Sequence, residues 1–242
     1  MKFWQVDAFT NEMYSGNPAA VFICDEFPSK QKMLSIANEM NLSETAFVVL
    51  GPTLHLRWFT PSTEVKMCGH ATIATAHILW QEQLVDSELL KFHTLNGEIT
   101  VARGSEGYQL NMPQNICQDK ESQLGDIVED ILGYSPLYIG SNSEECMVVV
   151  ETPDLVRSFI PPQDKICQLA ETGFLITAQN SIPASDFVYR AFFPKEGISE
   201  DPATGSACAC LAPYWAKVLG KNELKAQQVS QRGGEYVSKS RL

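Results

Sequence analysis

The chain has 242 residues, 44% hydrophobic and 19% charged, with a formal net charge of −11. This describes an ordinary soluble globular protein with a real core, long enough for one large or two small domains. The acidity and the absence of any Lys/Arg cluster exclude a polyanion-binding role, which needs neutralised phosphates, and no apolar run approaches the roughly 18 residues of a membrane span.

The opening Met1-Lys2-Phe3-Trp4-Gln5-Val6-Asp7 carries an acid in its apolar run, so it is not expected to be a signal peptide. A strand is expected over residues 3–9, then a turn at Gly16-Asn17-Pro18 before the apolar run 19–23. Ser29 is placed to cap a helix that continues to Met40, with Asn41 as its stop. Leu42-Ser43-Glu44 leads directly into a strand over 45–50, and 54–59 alternates as another. A helix of very small residues is expected over 69–81. Residues 92–112 read as two or three antiparallel strands with turns at Asn96-Gly97 and 104–107. The polar, aperiodic stretch after Pro113 marks a boundary, giving domains 1–113 and 114–242. Beyond it, helices are expected over 125–132, 153–160 (capped by Thr152 and stopped by Pro161-Pro162) and 205–219. Strands are expected over 146–150, 173–178 and 187–193, and an extended tail over 225–242 kinked at Arg232-Gly233-Gly234. Mostly strands with one central helix per half make the class α+β.

One pattern occurs twice. Arg57-Trp58-Phe59-Thr60-Pro61, an acid-bearing loop and Gly69-His70-Ala71 are echoed by Arg190-Ala191-Phe192-Phe193-Pro194, another such loop and Gly205-Ser206-Ala207. From proline to glycine the second copy is three residues longer. The repeat predicts two similar halves facing one another, each offering a helix N-terminus to the space between them. Unpaired N–H groups and the helix dipole make such an end an anion site, with Gly69 and Gly205 letting a ligand reach the backbone.

Several side chains could carry chemistry there. Glu44 is either an exposed loop acid or a carboxyl facing an apolar-walled cleft, where desolvation would raise its pKa toward the range useful for proton transfer. His70 reads as a substrate contact, a proton relay or a satisfied structural histidine. Asp201 before Pro202 reads as a helix cap with a first-turn proline, and as a residue that can still face a cleft. Ser206 takes the slot of His70 in the second copy, as a contact or a cap. Cys68 precedes Gly69 at a helix start that would stabilise a thiolate, while its counterpart is Thr204, so a two-thiol racemase is not expected. Cys208 and Cys210 are expected to pack in the core. Seven cysteines without a C-x-x-C pair read as reduced thiols in a cytoplasm. Four histidines without a ligand-spaced pair give no metal site.

Together these pieces resemble the phenazine-biosynthesis-like isomerase family. They are 6–10 with 16–21, Asn41-Leu42-Ser43-Glu44-Thr45-Ala46-Phe47, 57–61 through Cys68-Gly69-His70-Ala71-Thr72, Glu200-Asp201-Pro202-Ala203-Thr204-Gly205-Ser206 and Gln231-Arg232-Gly233-Gly234-Glu235. The resemblance implies a diaminopimelate epimerase-like fold of two pseudo-symmetric domains, each a curled, mostly antiparallel sheet around a central helix. It implies Glu44 as general acid/base with His70 and Asp201, and substrate contacts from Ser43, Gly69, Gly205 and Ser206. It further implies a cofactor-free proton and double-bond shift in a small anionic metabolite, and a homodimer. The family usually continues past the Arg-Gly-Gly motif with a closing strand, whereas this sequence stops at Leu242, so an exposed sheet edge that a partner chain could cover is expected. Two alternatives stand beside this: a one-thiol epimerase-like enzyme using Cys68, and a catalytically silent metabolite-binding or protein-interaction module.

Overall fold

A computed structural model describes residues 1–105, 107–180 and 185–239. Glu106 in the 104–107 turn and residues 240–242 of the tail lie outside the described residues. The chain divides into two compact units, Met1–Met112 and Pro113–Leu242.

The first unit runs β1 (Lys2–Ala8), β2 (Asn17–Cys24), α1 (Lys30–Met40), β3 (Glu44–Val49), β4 (Leu54–Phe59), β5 (Glu64–Val65), α2 (Gly69–Gln81), β6 (Leu89–Thr94), β7 (Gly97–Gly104) and β8 (Gly107–Asn111). Its strands form one sheet in the order β1-β2-β3-β4-β6-β7-β8, with β5 on β4. Hairpin neighbours are antiparallel, while β2/β3 and β4/β6 are parallel. Parallel partners need a crossover, and α1 and α2 supply the two. Gly16 takes φ +65 before β2, and a Cβ there would sit 2.0 Å from the Ala8 carbonyl oxygen, so only glycine fits.

The sheet is covered on both faces. Ala19, Val21, Ala46, Val48, Leu56 and Trp58 pack with α2, whereas Ala20, Phe22, Phe47 and Phe59 pack with Met33 and Ala37 of α1. That is why β2 and β3 read as nearly unbroken apolar runs rather than alternating ones. Ten of the thirteen α2 residues are buried, on every side of the helix, which its Ala, Thr and Gly side chains permit by letting the curled sheet come close. The buried Thr72 and Thr75 hydroxyls donate to the Cys68 and Ala71 carbonyls one turn back.

The second unit runs β9 (Gln118–Asp119), α3 (Glu121–Leu132), β10 (Tyr138–Ser141), β11 (Glu145–Val149), α4 (Pro153–Ser158), α5 (Gln163–Ile166), β12 (Gly173–Gln179) and β13 (Phe187–Phe193). It continues with a 3-10 turn at Pro194–Glu196, then β14 (Ile198–Asp201), α6 (Cys208–Leu219), β15 (Glu223–Gln228) and β16 (Gly234–Lys239). The strand order β10-β11-β12-β13-β15-β16 repeats that of β1-β2-β3-β4-β6-β7, pair by pair in the same parallel or antiparallel sense. β14 returns on β13 as β5 does on β4. α6 packs on one face against Met147, Val149, Leu175 and Tyr189. Side chains of α3, α4 and α5 cover the other face, over Cys146, Val148, Phe174 and Ile176.

The repeated arginine and the acid in the loop after it form the same contact in both units. Arg57 grips Glu64 through Nε and Nη2 at 2.6 and 2.9 Å, and Arg190 grips Glu200 at 2.7 and 2.8 Å. The partners are 7 residues apart in the first copy and 10 in the second. The turn at Pro194–Glu196 takes up the difference and leaves the pair intact.

Three expectations need correction. α6 begins at Cys208 rather than Gly205, because Cys208, Ala209 and Cys210 donate three residues back, to Gly205, Ser206 and Ala207, making a tight lead-in turn. Asp201 does not cap a helix. It ends β14 and accepts a hydrogen bond from the Thr204 hydroxyl, while the Gln228 amide donates to its carbonyl at 2.6 Å. The 125–132 helix starts earlier, at Glu121, where Asp119 Oδ1 receives the Glu121 N–H.

The Arg57 guanidinium holds the Glu64 carboxyl below the ordinary carboxylate range. Its contribution is therefore complete above that range and fades as pH falls through the folded-state value. Glu64→Gln is expected to cost about 2 kcal/mol at neutral pH, between the values for exposed and buried pairs. Urea melts should show the gap to wild type closing as pH falls below the ordinary glutamate range; a gap that stays constant would contradict this.

Candidate active site

The left-handed Asn41 (φ 51) stops α1, and three residues later β3 begins at Glu44, opposite Ala19 of β2. Strand alternation puts Glu44 on the face of Ala46 and Val48, the face that carries α2. There its side chain, 15% exposed, meets the first turn of α2: Glu44 Oε2 lies 3.4 Å from His70 Nε2. The other ring nitrogen, Nδ1, lies 3.5 Å from Cys68 Sγ. Acid, imidazole and thiol thus form a cluster, one donor atom of each within 4.8 Å of the others. Such a set could in principle hold a metal ion. Here each imidazole nitrogen faces a different neighbour, Nε2 the acid and Nδ1 the thiol.

His70 is buried, and among the described residues its Nε2 has no well-aligned hydrogen bond. Burial pushes the imidazole down to about 3. The enclosure leaves the ring neutral near pH 7. A neutral ring carries one N–H, so it can accept from the Cys68 thiol while donating toward Glu44. At the start of α2, the N-cap residue Cys68 provides no side-chain cap, and the first turn holds no acidic residue. Ser43, next to Glu44, donates to Asn17 Oδ1 at 3.2 Å. A Cβ at Gly69 would lie 3.3 Å from Leu110 Cδ2 and 3.8 Å from Met112 Sδ, so a larger residue there would press on the leucine tip.

Glu44, His70, Ser43 and Gly69 are therefore gathered in the first unit, with Cys68 among them. Asp201, Gly205 and Ser206 belong to the second unit. There Asp201 is buried, and Gln228 Oε1 accepts the Thr204 N–H, so Asp201, Thr204 and Gln228 together fix the turn ahead of α6.

Sequence reasoning missed one titratable group. By register, the second-unit counterpart of Glu44 is Gly173, which pairs with Glu145 as Glu44 pairs with Ala19. The acid has moved one strand across, and a Cβ on Gly173 would lie 3.2 Å from Glu145 Cγ. Burial pushes Glu145 up to about 7, against the hydrogen bond donated by Asn142 Nδ2 at 2.9 Å. Its one signal in the sequence is an acid opening the apolar run 146–150.

A family model described as phenazine biosynthesis-like protein matches residues 6–241. An uncharacterized isomerase of Halalkalibacterium halodurans is 40% identical over 231 residues, covering 95% of this chain and 87% of the relative. The crystal structure of a phenazine biosynthesis protein of the PhzF family from Enterococcus faecalis superposes with a TM-score of 0.92 at 37% identity, covering 99% of this chain and 91% of that one. A predicted epimerase from Pseudomonas aeruginosa, 18% identical, superposes with a TM-score of 0.73 over 97% of this chain and 90% of that one, which shows the fold alone.

Because the unfolded chain protonates this histidine near 6.5 and the folded chain only near 3, burial of His70 makes stability fall as pH drops through that window. Nitrogen-15 spectra of the ring should show a neutral imidazole still present at about pH 5. A titration midpoint at the ordinary histidine value would contradict the enclosure.

Proposed function

The chain belongs to the phenazine biosynthesis-like protein family, and we propose that it is a cofactor-independent isomerase that moves a proton, and with it a double bond, within a small carboxylate-bearing metabolite. The observation that carries this reading is the contact between Glu44 and the neutral His70 at the start of α2. The isomerase class accords with the naming of its curated relatives.

In this reading the substrate carboxylate docks on the N–H groups at the start of α2, where the helix dipole favours negative charge. Glu44 takes a proton from one carbon, the electron pair of the broken C–H bond shifts through the conjugated system, and Glu44 returns the proton to another carbon. The net charge is unchanged. His70, kept neutral, donates toward whichever oxygen of Glu44 bears charge, and Cys68 holds the imidazole's other nitrogen. Asp201, Gly205 and Ser206 are assigned as substrate contacts on the family resemblance, together with Ser43 and Gly69.

A second reading uses the thiol. Cys68 lies at a helix start, which would help form a thiolate, and its Sγ is 3.5 Å from His70 Nδ1. Cys68→Ser would then abolish solvent-deuterium exchange at the substrate carbon, whereas the Glu44 reading expects exchange to persist. The residue in the matching place of the second copy is Thr204, so a thiol on the opposite face is lacking there, and the acid is the better assignment.

The test is a panel of small carboxylates screened by thermal shift, with product analysis of each hit. Glu44→Gln should slow turnover by about 10²–10⁴-fold while the same hits still stabilise the variant. Unimpaired turnover in Glu44→Gln would remove Glu44 from the chemistry.

A further inference from the structure

The second unit places two thiols in contact. Cys117 Sγ lies 2.6 Å from Cys210 Sγ, only about 0.6 Å beyond a disulfide bond length, and both are unbonded thiols. Cys117 is half-buried on the segment before β9, whereas Cys210 is buried in the first turn of α6.

The surroundings hold the pair in place. Pro213 has no N–H, so the Ala209 carbonyl one turn back lacks its helical partner, and the Asn115 N–H fills that role at 3.1 Å. This pins the segment carrying Cys117 onto α6. The Asn142 amide donates to the Asn115 carbonyl at 3.1 Å, to Cys117 Sγ at 3.4 Å and to Glu145 Oε2 at 2.9 Å. On the far side, Cys210 Sγ lies 3.8 Å from Met147 Sδ.

We propose that Cys117 and Cys210 are a redox modification site that closes to a reversible disulfide, independent of the isomerase chemistry. The oxidant is a low-molecular-weight disulfide. The Cys117 thiolate attacks one of its sulfurs, forming a mixed disulfide and releasing one small thiol. The Cys210 sulfur then attacks Cys117, forming the internal bond and expelling the second small thiol. Two protein thiols are oxidised, one disulfide is reduced, and the two protons end on the released thiols. Cys117 is the half-exposed member that meets the oxidant. Cys210, buried and in contact with the Cys117 sulfur, resolves the intermediate. Glu145, linked to Cys117 through Asn142, is the nearby carboxylate able to accept a proton on the way. The bond would tie together residues 93 apart in the chain, which restricts the unfolded state far more than the folded one.

The test is incubation of the full chain with glutathione disulfide, a denaturing thiol count and peptide mapping. The expected result is a fall from seven thiols to five (seven less the two that pair), a linked Cys117–Cys210 peptide lighter by two hydrogens, and reversal by dithiothreitol. The melting temperature should rise by about 5 °C or more, and Cys117→Ser should abolish both the link and the rise. The proposal is overturned if glutathione stays attached at Cys117 without an internal bond, if the link maps to another pair, or if all seven thiols persist. Since the map is made on the wild-type chain, it decides the matter even if a variant fails to fold.

Discussion

The bidentate grip of a strand arginine on the acid of the short return strand beside it is the constraint on which both units rest. Arg57 with Glu64, and Arg190 with Glu200, fix where β5 and β14 lie on β4 and β13. Each return strand leads within a few residues to the central helix of its unit. A forked guanidinium accepts a carboxylate in few orientations, so the pair sets position as well as contributing energy. In the first unit that position brings Cys68, Gly69 and His70 over the first residue of β3. Half-buried ion pairs are modest stabilisers, and their retention in both copies, across a loop difference of three residues, agrees with a role in geometry.

On this shared scaffold the two units bear different chemistry. The first opens β3 with Glu44 and starts its helix with a thiol and an imidazole. The second opens the matching strand with Gly173, has an acid on the adjacent strand as Glu145, and starts its helix behind a turn braced by Asp201, Thr204 and Gln228. One fold carries distinct groups at corresponding places, which is why function has to be argued from the site rather than the architecture. The buried His70 shows the same principle on a smaller scale. A helix slim enough to be enclosed takes its second residue into the interior, and that enclosure keeps the ring neutral.

Much of this was legible in the sequence, for identifiable reasons. The α2 boundaries follow from a run of small residues after a glycine, and those of α1 from Ser29 and Asn41, whose cap and left-handed stop are local properties. Ser29 accepts the Lys32 N–H at 3.2 Å, as its position suggests. The short strands β5 and β14 were hidden because each pairs with a single neighbour and looks like polar loop. Asp201-Pro202 imitates a helix start, since the local signal is real and only the tertiary bonds of Thr204 and Gln228 override it. Glu145 showed only as an acid ahead of an apolar run because its meaning depends on register with Gly173, and the contact between Cys117 and Cys210 depends on a proline four residues beyond the carbonyl it leaves open. Local chemistry could be read from the residues, whereas pairings across the fold could not.

The account turns on Glu44 as the group that carries the proton. The most direct measurement is a structure of the protein with a turned-over carboxylate metabolite bound. The account predicts a Glu44 carboxylate oxygen within about 3.5 Å of the carbon that loses or gains the proton, with the ligand's own carboxylate against the first N–H groups of α2. A ligand whose reacting carbon lies beside Cys68 Sγ, or remote from Glu44, would contradict it.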